Sequence, residues 1–251
     1  MKVGIIGTGN IGGTVARKLS AAGHDVRVAN SRGLEGVRPF ANEIGATACD
    51  IHGAVKGVDL VVISIPFPAV AELPKNLFDM VPQAVPVVDT GNYYPGLRDP
   101  QIPEIDAGMP HSVWISKQLG RPVVKAFNNI LAHSLAELGH PGGSPGRLAI
   151  AVAGDDVRSK QIVMDIVNET GFDAVDAGPL DESWRQEPGT PAYCCDYDAE
   201  TTRKGLAAAV KGKAPKKLER FIDLYRQRGS NITHADMVAM NRSLNPHFEP
   251  R

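Results

Sequence analysis

Six short apolar runs, separated by segments of helical patterning, lie within residues 1–153 and constrain the fold more than any other feature of the chain. They cover residues 3–6, 26–29, 58–65, 85–89, 122–127 and 148–153. The longest, Val58-Asp59-Leu60-Val61-Val62-Ile63-Ser64-Ile65, is continuously apolar for most of its length instead of alternating. A strand of that kind has both faces covered, as in a parallel sheet flanked by helices. Helical patterning over 11–22 and 35–44 supplies the crossovers. Strand, helix and strand repeated in this way imply right-handed βαβ units. The expected fold is therefore α/β, a doubly wound parallel sheet of the Rossmann type.

Past residue 178 the pattern changes. The stiff stretch Glu187-Pro188-Gly189-Thr190-Pro191-Ala192-Tyr193 intervenes, and helices are expected over 199–210, 215–227 and 233–244. Pro215 suits a first helical turn, and Thr233 with Asp236 three residues on resembles a capping box. The reading divides the chain into a nucleotide-binding domain over 1–180 and a helical region over 181–251, whose segment 183–195 is a candidate substrate wall or, equally, a linker packing the helices onto the sheet.

Charge narrows the partners. With 27 Lys and Arg against 28 Asp and Glu the net charge is -1, without the positive excess on which nucleic-acid binding leans. The basic cluster around Lys211, Lys213, Lys216, Lys217, Arg220, Arg226 and Arg228 has almost no aromatic interleaving and reads as a solvated helix face. No stretch approaches the ~18 apolar residues of a membrane span, and the first residues lack a secretory signal. Cys49, Cys194 and Cys195 have no metal-ligand spacing and read as reduced thiols, so no metal is expected and a cytoplasmic setting is.

The amino terminus carries the functional signal. Gly7-Thr8-Gly9-Asn10-Ile11-Gly12 fits G-x-G-x-x-G directly after a strand and at the opening of a helix. The first glycine permits the tight turn, the second lets backbone approach a pyrophosphate, and the third lets helix and strand pack closely. The helix N-terminus then presents free N–H groups and a positive dipole end to the anion. At the end of the second strand the chain reads Ala29-Asn30-Ser31-Arg32-Gly33, without the carboxylate that would bond the ribose hydroxyls of NAD. Arg32 offers a planar fork to a 2′-phosphate, with Ser31 or Asn30 as a further donor. The cofactor indicated is NADP(H). Ligands in open α/β sheets bind beyond the carboxyl ends of the strands, so Ile65 and Pro66 are candidates for the nicotinamide ribose, and Asn92 is equally well a ligand or a turn residue.

At this point the sequence resembles the coenzyme F420-dependent NADP oxidoreductases, a group related to the reductase domain of certain membrane ferric reductases. The resemblance rests on the glycine loop, Asn30-Ser31-Arg32, Ile63-Ser64-Ile65-Pro66, Val124-Lys125-Ala126-Phe127-Asn128, Ala153-Gly154-Asp155-Asp156 and Asp176-Ala177-Gly178-Pro179-Leu180. It spans about residues 1–182, and 183–251 does not match the ends of the deazaflavin enzymes. The resemblance implies hydride transfer between NADPH and a flavin or deazaflavin (coenzyme F420) acceptor. It places Thr8, Gly9, Asn10 and Ile11 on the pyrophosphate, Ser31 and Arg32 on the 2′-phosphate, and Ile65, Pro66 and Ala126 near the nicotinamide. It also implies a homodimer, with the C-terminal region 181–251 helping to form it.

Transfer to a flat ring asks mainly for proximity and orientation. Reduction of an imine or carbonyl, the alternative reading, asks in addition for a proton donor within reach. His111, read as lying in a loop, and Tyr193 are the candidates for that role, with Tyr94, His133 and Lys125 behind them. A third reading is a non-catalytic NADP(H) sensor. For the coenzyme site, Arg32→Ala should raise KM for NADPH by roughly 10- to 100-fold, the worth of charge-assisted hydrogen bonds, and leave KM for NADH nearly unchanged. Steady-state kinetics with both coenzymes check this, and an unaltered preference would remove Arg32 from the site.

Overall fold

Five of the six apolar runs pair into one parallel sheet in the computed structural model, which describes residues 1–229, 231–246 and 248. The strands are β1 (Lys2–Ile6), β2 (Asp25–Ala29), β3 (Thr47–Ala48), β4 (Leu60–Ile63), β5 (Val87–Asp89) and β6 (Val124–Lys125), in the order β3-β2-β1-β4-β5-β6. This is the order of a doubly wound nucleotide-binding sheet, which reverses direction next to β1. The short β3 was not evident from patterning. Its two residues extend the edge beside Arg27 and Val28.

Register fixes where the loops emerge. Ile6 pairs with Ala29 on one side and Ile63 on the other, Ile63 pairs with Asp89, and Asp89 pairs with Lys125. These five residues form one row across the sheet, so the five following loops open on the same edge. Alternate residues fill the two faces. Val3, Ile5, Val26, Val28, Leu60 and Val62 pack under α1 (Asn10–Ala21) and α2 (Gly33–Ile44). Val61, Ile63 and Val87 pack on the opposite face, against Ala54 of α3 (Ile51–Val55), Ile105 of α4 (Pro103–Asp106), and Trp114 and Ile115 of α5 (His111–Leu119). Helix α6 (Ala132–Glu137) follows β6 and lies against α1.

The sixth run does not continue the parallel sheet. β7 (Ala149–Val152) pairs instead with β8 (Asp173–Asp176), the two joined by α7 (Val157–Glu169). Among the described residues its ladder pairing with the large sheet is one antiparallel bridge between Lys125 and Ala153, while Ile150 and Val152 pack into the same core as Val88 and Val124. Phe127, at φ 60°, turns the chain away immediately after β6, which is why the strand is shorter than its apolar run.

Beyond β8 the expected helices form as α8 (Ala199–Ala208), α9 (Ala214–Arg228) and α10 (His234–Ser243). Thr233 caps α10 through a reciprocal pair: its Oγ1 accepts from the Asp236 amide at 3.2 Å, and its own amide donates to Asp236 Oδ2 at 3.1 Å. The basic side chains of α9 are largely exposed, and its buried face is Leu218, Phe221 and Ile222. Among the described residues no helix is long and apolar enough to cross a membrane.

Between the strands and these helices runs an irregular segment whose residues 186–195 are all buried. Buried backbone without a ladder needs other partners. Side-chain amides supply them: Asn128 Nδ2 donates to the Gln186 carbonyl at 2.7 Å, Asn129 Nδ2 to Ala192 at 3.3 Å, and Asn245 Nδ2 to Gly189 at 3.3 Å. The Arg242 guanidinium donates to the Cys195 carbonyl at 2.7 and 2.9 Å. The segment bends through Cys194 (φ 51°) and Asp196 (φ 49°), held by the Cys194 amide on Asn129 O and by Ser134 Oγ donating to Asp196.

Candidate active site

The loop after β1 is shaped by lack of space. Gly7, at φ 100°, would place a Cβ 2.1 Å from the Ser64 carbonyl oxygen. A Cβ on Gly12 would lie 2.1 Å from the Gly7 oxygen and 2.7 Å from Ser64 Cβ. Both positions therefore tolerate glycine alone. Gly9 differs. Its φ of -76° is open to any residue, and no protein atom lies within 4 Å of its would-be Cβ. Its bareness leaves room for a group outside the chain, such as a pyrophosphate, to come close. No side chain caps α1, and its first turn has no acidic residue, so the N-terminal N–H groups are left for an anion.

From this loop a cleft of about 600 Å³ opens, within the usual size of a ligand site. Gly7, Thr8 and Gly9 form its floor, Asn30, Ser31 and Arg32 one end, and Ile65 with Pro66 the other. Asn30 braces the first end: Nδ2 donates to Thr8 Oγ1 at 2.9 Å, while Oδ1 accepts from the Arg32 amide at 2.9 Å. Arg32 is exposed at the start of α2, and no carboxylate of this loop competes for it. The residues present fit an NADP(H) molecule laid along the sheet edge.

Asn10, Ile11 and Gly12 form the first turn of α1, with Ile11 packed partly into the core. Asn92 and Ala126 are not part of this cleft wall. Ala126 is fully buried in the core, and its side chain is not available to a ligand. Asn92 Nδ2 donates to the Asn128 carbonyl at 2.8 Å and to the Tyr193 hydroxyl at 3.1 Å. The Tyr193 and Tyr94 hydroxyls are hydrogen-bonded to each other. Burial pushes both phenols far above their ordinary range, so they act as neutral donors and acceptors.

The remaining candidates separate. His133 lies on α6 with its ring 4.4 Å from that of His234. His111 is not in a loop. It is the first residue of α5 and is buried against Phe67 and Tyr93, with ring centroids 5.6 and 5.7 Å away. Burial, aided by the Lys125 charge, holds its imidazole well below the usual range and hence neutral.

A cluster that motif reading did not find lies at the inner end of the sheet edge. Lys125 is 0% exposed. Its Nζ donates to Ser112 Oγ at 2.9 Å and to the Gly91 carbonyl at 3.1 Å, with Asp89 Oδ2 3.7 Å away. Ser112 Oγ donates to Asp89 Oδ2 at 2.6 Å. Glu187, arriving from the buried segment, accepts from the His111 amide at 2.6 Å, and its other oxygen lies 3.4 Å from His111 Nε2. Burial raises the Glu187 carboxyl to about 7, against the opposing pull of Lys125 and the His111 amide. The signal available in sequence was a lysine inside an apolar strand. Among the described residues no cluster of His, Cys, Asp and Glu suits a metal, and all three cysteines are free.

Residues 2–93 match the model of the family described as NADP oxidoreductase, coenzyme F420-dependent. The Escherichia coli (strain K12) protein YjhV is 46% identical over 105 residues, 42% of this chain and 77% of that one. The chain belongs to the coenzyme F420-dependent NADP oxidoreductases. It is accordingly an NADP-dependent oxidoreductase, and the matched span contains the glycine loop and Arg32. Two solved structures share the fold of this family member. The Sinorhizobium meliloti protein SMa0349 superposes with a TM-score of 0.60 at 26% identity, over 74% of this chain and 88% of its own. An Arthrobacter sp. FB24 protein described as an F420-dependent NADP-reductase superposes with a TM-score of 0.59 at 19% identity, over 92% and 96%.

The glycines separate packing from binding. Gly12→Ala should destabilise the protein by about 1–3 kcal/mol in denaturant unfolding. Gly9→Ala should leave stability unchanged or slightly raised, yet weaken coenzyme binding at least about tenfold. Equal effects of the two on stability would contradict this division. Glu187 makes a second prediction. Its folded carboxyl sits above the unfolded value of 4.5, so the folded protein binds the extra proton, and the Glu187 contribution weakens as pH rises from 4.5 through about 7. His111, held neutral, acts oppositely over part of that window, so the variant comparison carries the sign. The stability of Glu187→Gln relative to wild type should rise by on the order of 3 kcal/mol across the window and stay flat above it.

Proposed function

We propose that this oxidoreductase carries hydride from NADPH to a flat conjugated acceptor of the flavin or deazaflavin class, coenzyme F420 included. In this reading the backbone at Gly7, Thr8 and Gly9 and the first turn of α1 hold the pyrophosphate. Arg32 and Ser31 take the 2′-phosphate, and Asn30 keeps Arg32 in register. Ile65 and Pro66 flank the nicotinamide ribose. Bound in this way, the coenzyme supplies a two-electron hydride donor at the end of the cleft nearest β4 and β5.

The observation that carries the reading is the cleft itself, with bare Gly9 in its floor, Arg32 at one end and apolar Ile65 and Pro66 at the other. Ile65 and Pro66, with Ala69, Leu73 and Pro74, give the cleft an apolar wall beside Glu72. Such a surface suits one ring laid against another, where proximity and orientation provide most of the acceleration. The family description supports the acceptor class. The neutral tyrosine pair also favours a second reading, donation of a proton to an imine or carbonyl.

Loss of NADPH absorbance against FMN, FAD, coenzyme F420, a cyclic imine and a ferric chelate tests the choice. Turnover of F420 or a flavin at least about tenfold above the others is the expected result. Turnover confined to the imine would replace this reading with the second. Tight NADPH binding with no turnover of any member would point to a sensor.

A further inference from the structure

The cluster beneath the inner end of the cleft contains an odd number of buried charges. Asp89 and Lys125 oppose one another, bridged by Ser112. His111 carries no charge to offset a second carboxylate. Its Nδ1 accepts from the Tyr93 amide at 3.4 Å, which assigns the proton to Nε2, facing Glu187 at 3.4 Å. Glu187 is therefore the buried acid without a cation of its own. The groups facing it are His111 from α5, Lys125 from β6 and Asp89 from β5.

This cluster reaches the cleft lining at one point. Phe67, adjacent to cleft-lining Pro66, packs edge-on against His111. The path from the cleft wall to Glu187 thus runs through the buried side chains of Phe67 and His111, where screening by water is weak. A nicotinamide ring is neutral when reduced and positively charged when oxidised.

Resting on the reading above, we propose that Glu187 is the positioning residue that keeps the site electrically balanced, protonated beside the reduced coenzyme and ionised beside the oxidised one. In a full turnover Glu187 releases one proton to solvent, while the acceptor receives hydride, one hydrogen with two electrons, and takes one proton from solvent. One acceptor double bond becomes two new bonds to hydrogen. The negative charge left on Glu187 matches the positive charge created on the ring, so the buried region is neutral before and after. The carboxyl's place near neutrality supports this role, since either form is within reach at physiological pH.

Calorimetric binding of NADP+ and NADPH, each in two buffers of different ionisation enthalpy, tests the proposal without any acceptor. Near pH 6 wild type should release close to one proton more on binding NADP+ than on binding NADPH, and near pH 8 the difference should vanish. Proton exchange by the 2′-phosphate is common to both forms and cancels. NADP+ affinity should rise about tenfold from pH 6 to pH 8 relative to NADPH. In Glu187→Gln both effects should disappear. An equal proton count for the two coenzymes in wild type, or a difference that survives Glu187→Gln, would overturn the proposal. If the variant does not fold, the wild-type comparison decides alone. A protein that reduces no acceptor in the panel but shows the proton difference would retain this inference and lose the assigned function, and the converse result would do the reverse.

Discussion

Helix α1 sits so close to the strand ends beneath it that no side chain fits at Gly7 or Gly12. That contact sets the direction in which the helix N-terminus points, and with it the place where an anion can be held. The register of the sheet then does the rest. Because Ile6, Ala29, Ile63, Asp89 and Lys125 stand in one row, each loop that follows them is delivered to the same edge without further design. A side chain at Gly12 would lift the helix and shift the glycine loop that lines the cleft.

Much of this was legible in the chain because it is local. A glycine loop after a strand, a missing carboxylate at Ala29-Asn30-Ser31-Arg32, and Thr233 with Asp236 at a helix start each depend on residues within a few positions of one another. What escaped was non-local. The two residues of β3 are too few to show a period, and β7 gave no sign that it would pair with β8 instead of β6. His111 read as a loop residue because Pro110 precedes it, whereas that proline begins the helix. Ala126 and Asn92 follow strand ends in the sequence, but period alone does not say that one side chain faces the core and the other is already engaged by Asn128 and Tyr193.

The least legible part is the meeting of Glu187 with His111, which are 76 residues apart. Nothing near Glu187 in sequence marks it as buried, since glutamate is ordinarily a surface residue. Its burial follows from the whole 186–195 segment being drawn inward by asparagine amides and Arg242. Lys125 is the exception that was visible, a cation within an apolar strand, and such a residue requires a partner or a cost of several kcal/mol. Here the partners come from β5 and α5, so the ion cluster also ties strand ends to the helix that covers them.

The buried segment has a consequence for how this architecture can diversify. The cleft proposed for the dinucleotide is lined by residues before 75, whereas Glu187 arrives from beyond residue 180. Those two stretches meet in space while remaining separately editable in the gene. A lineage that exchanged its tail would therefore replace the buried acid while leaving the glycine-loop cleft as it is.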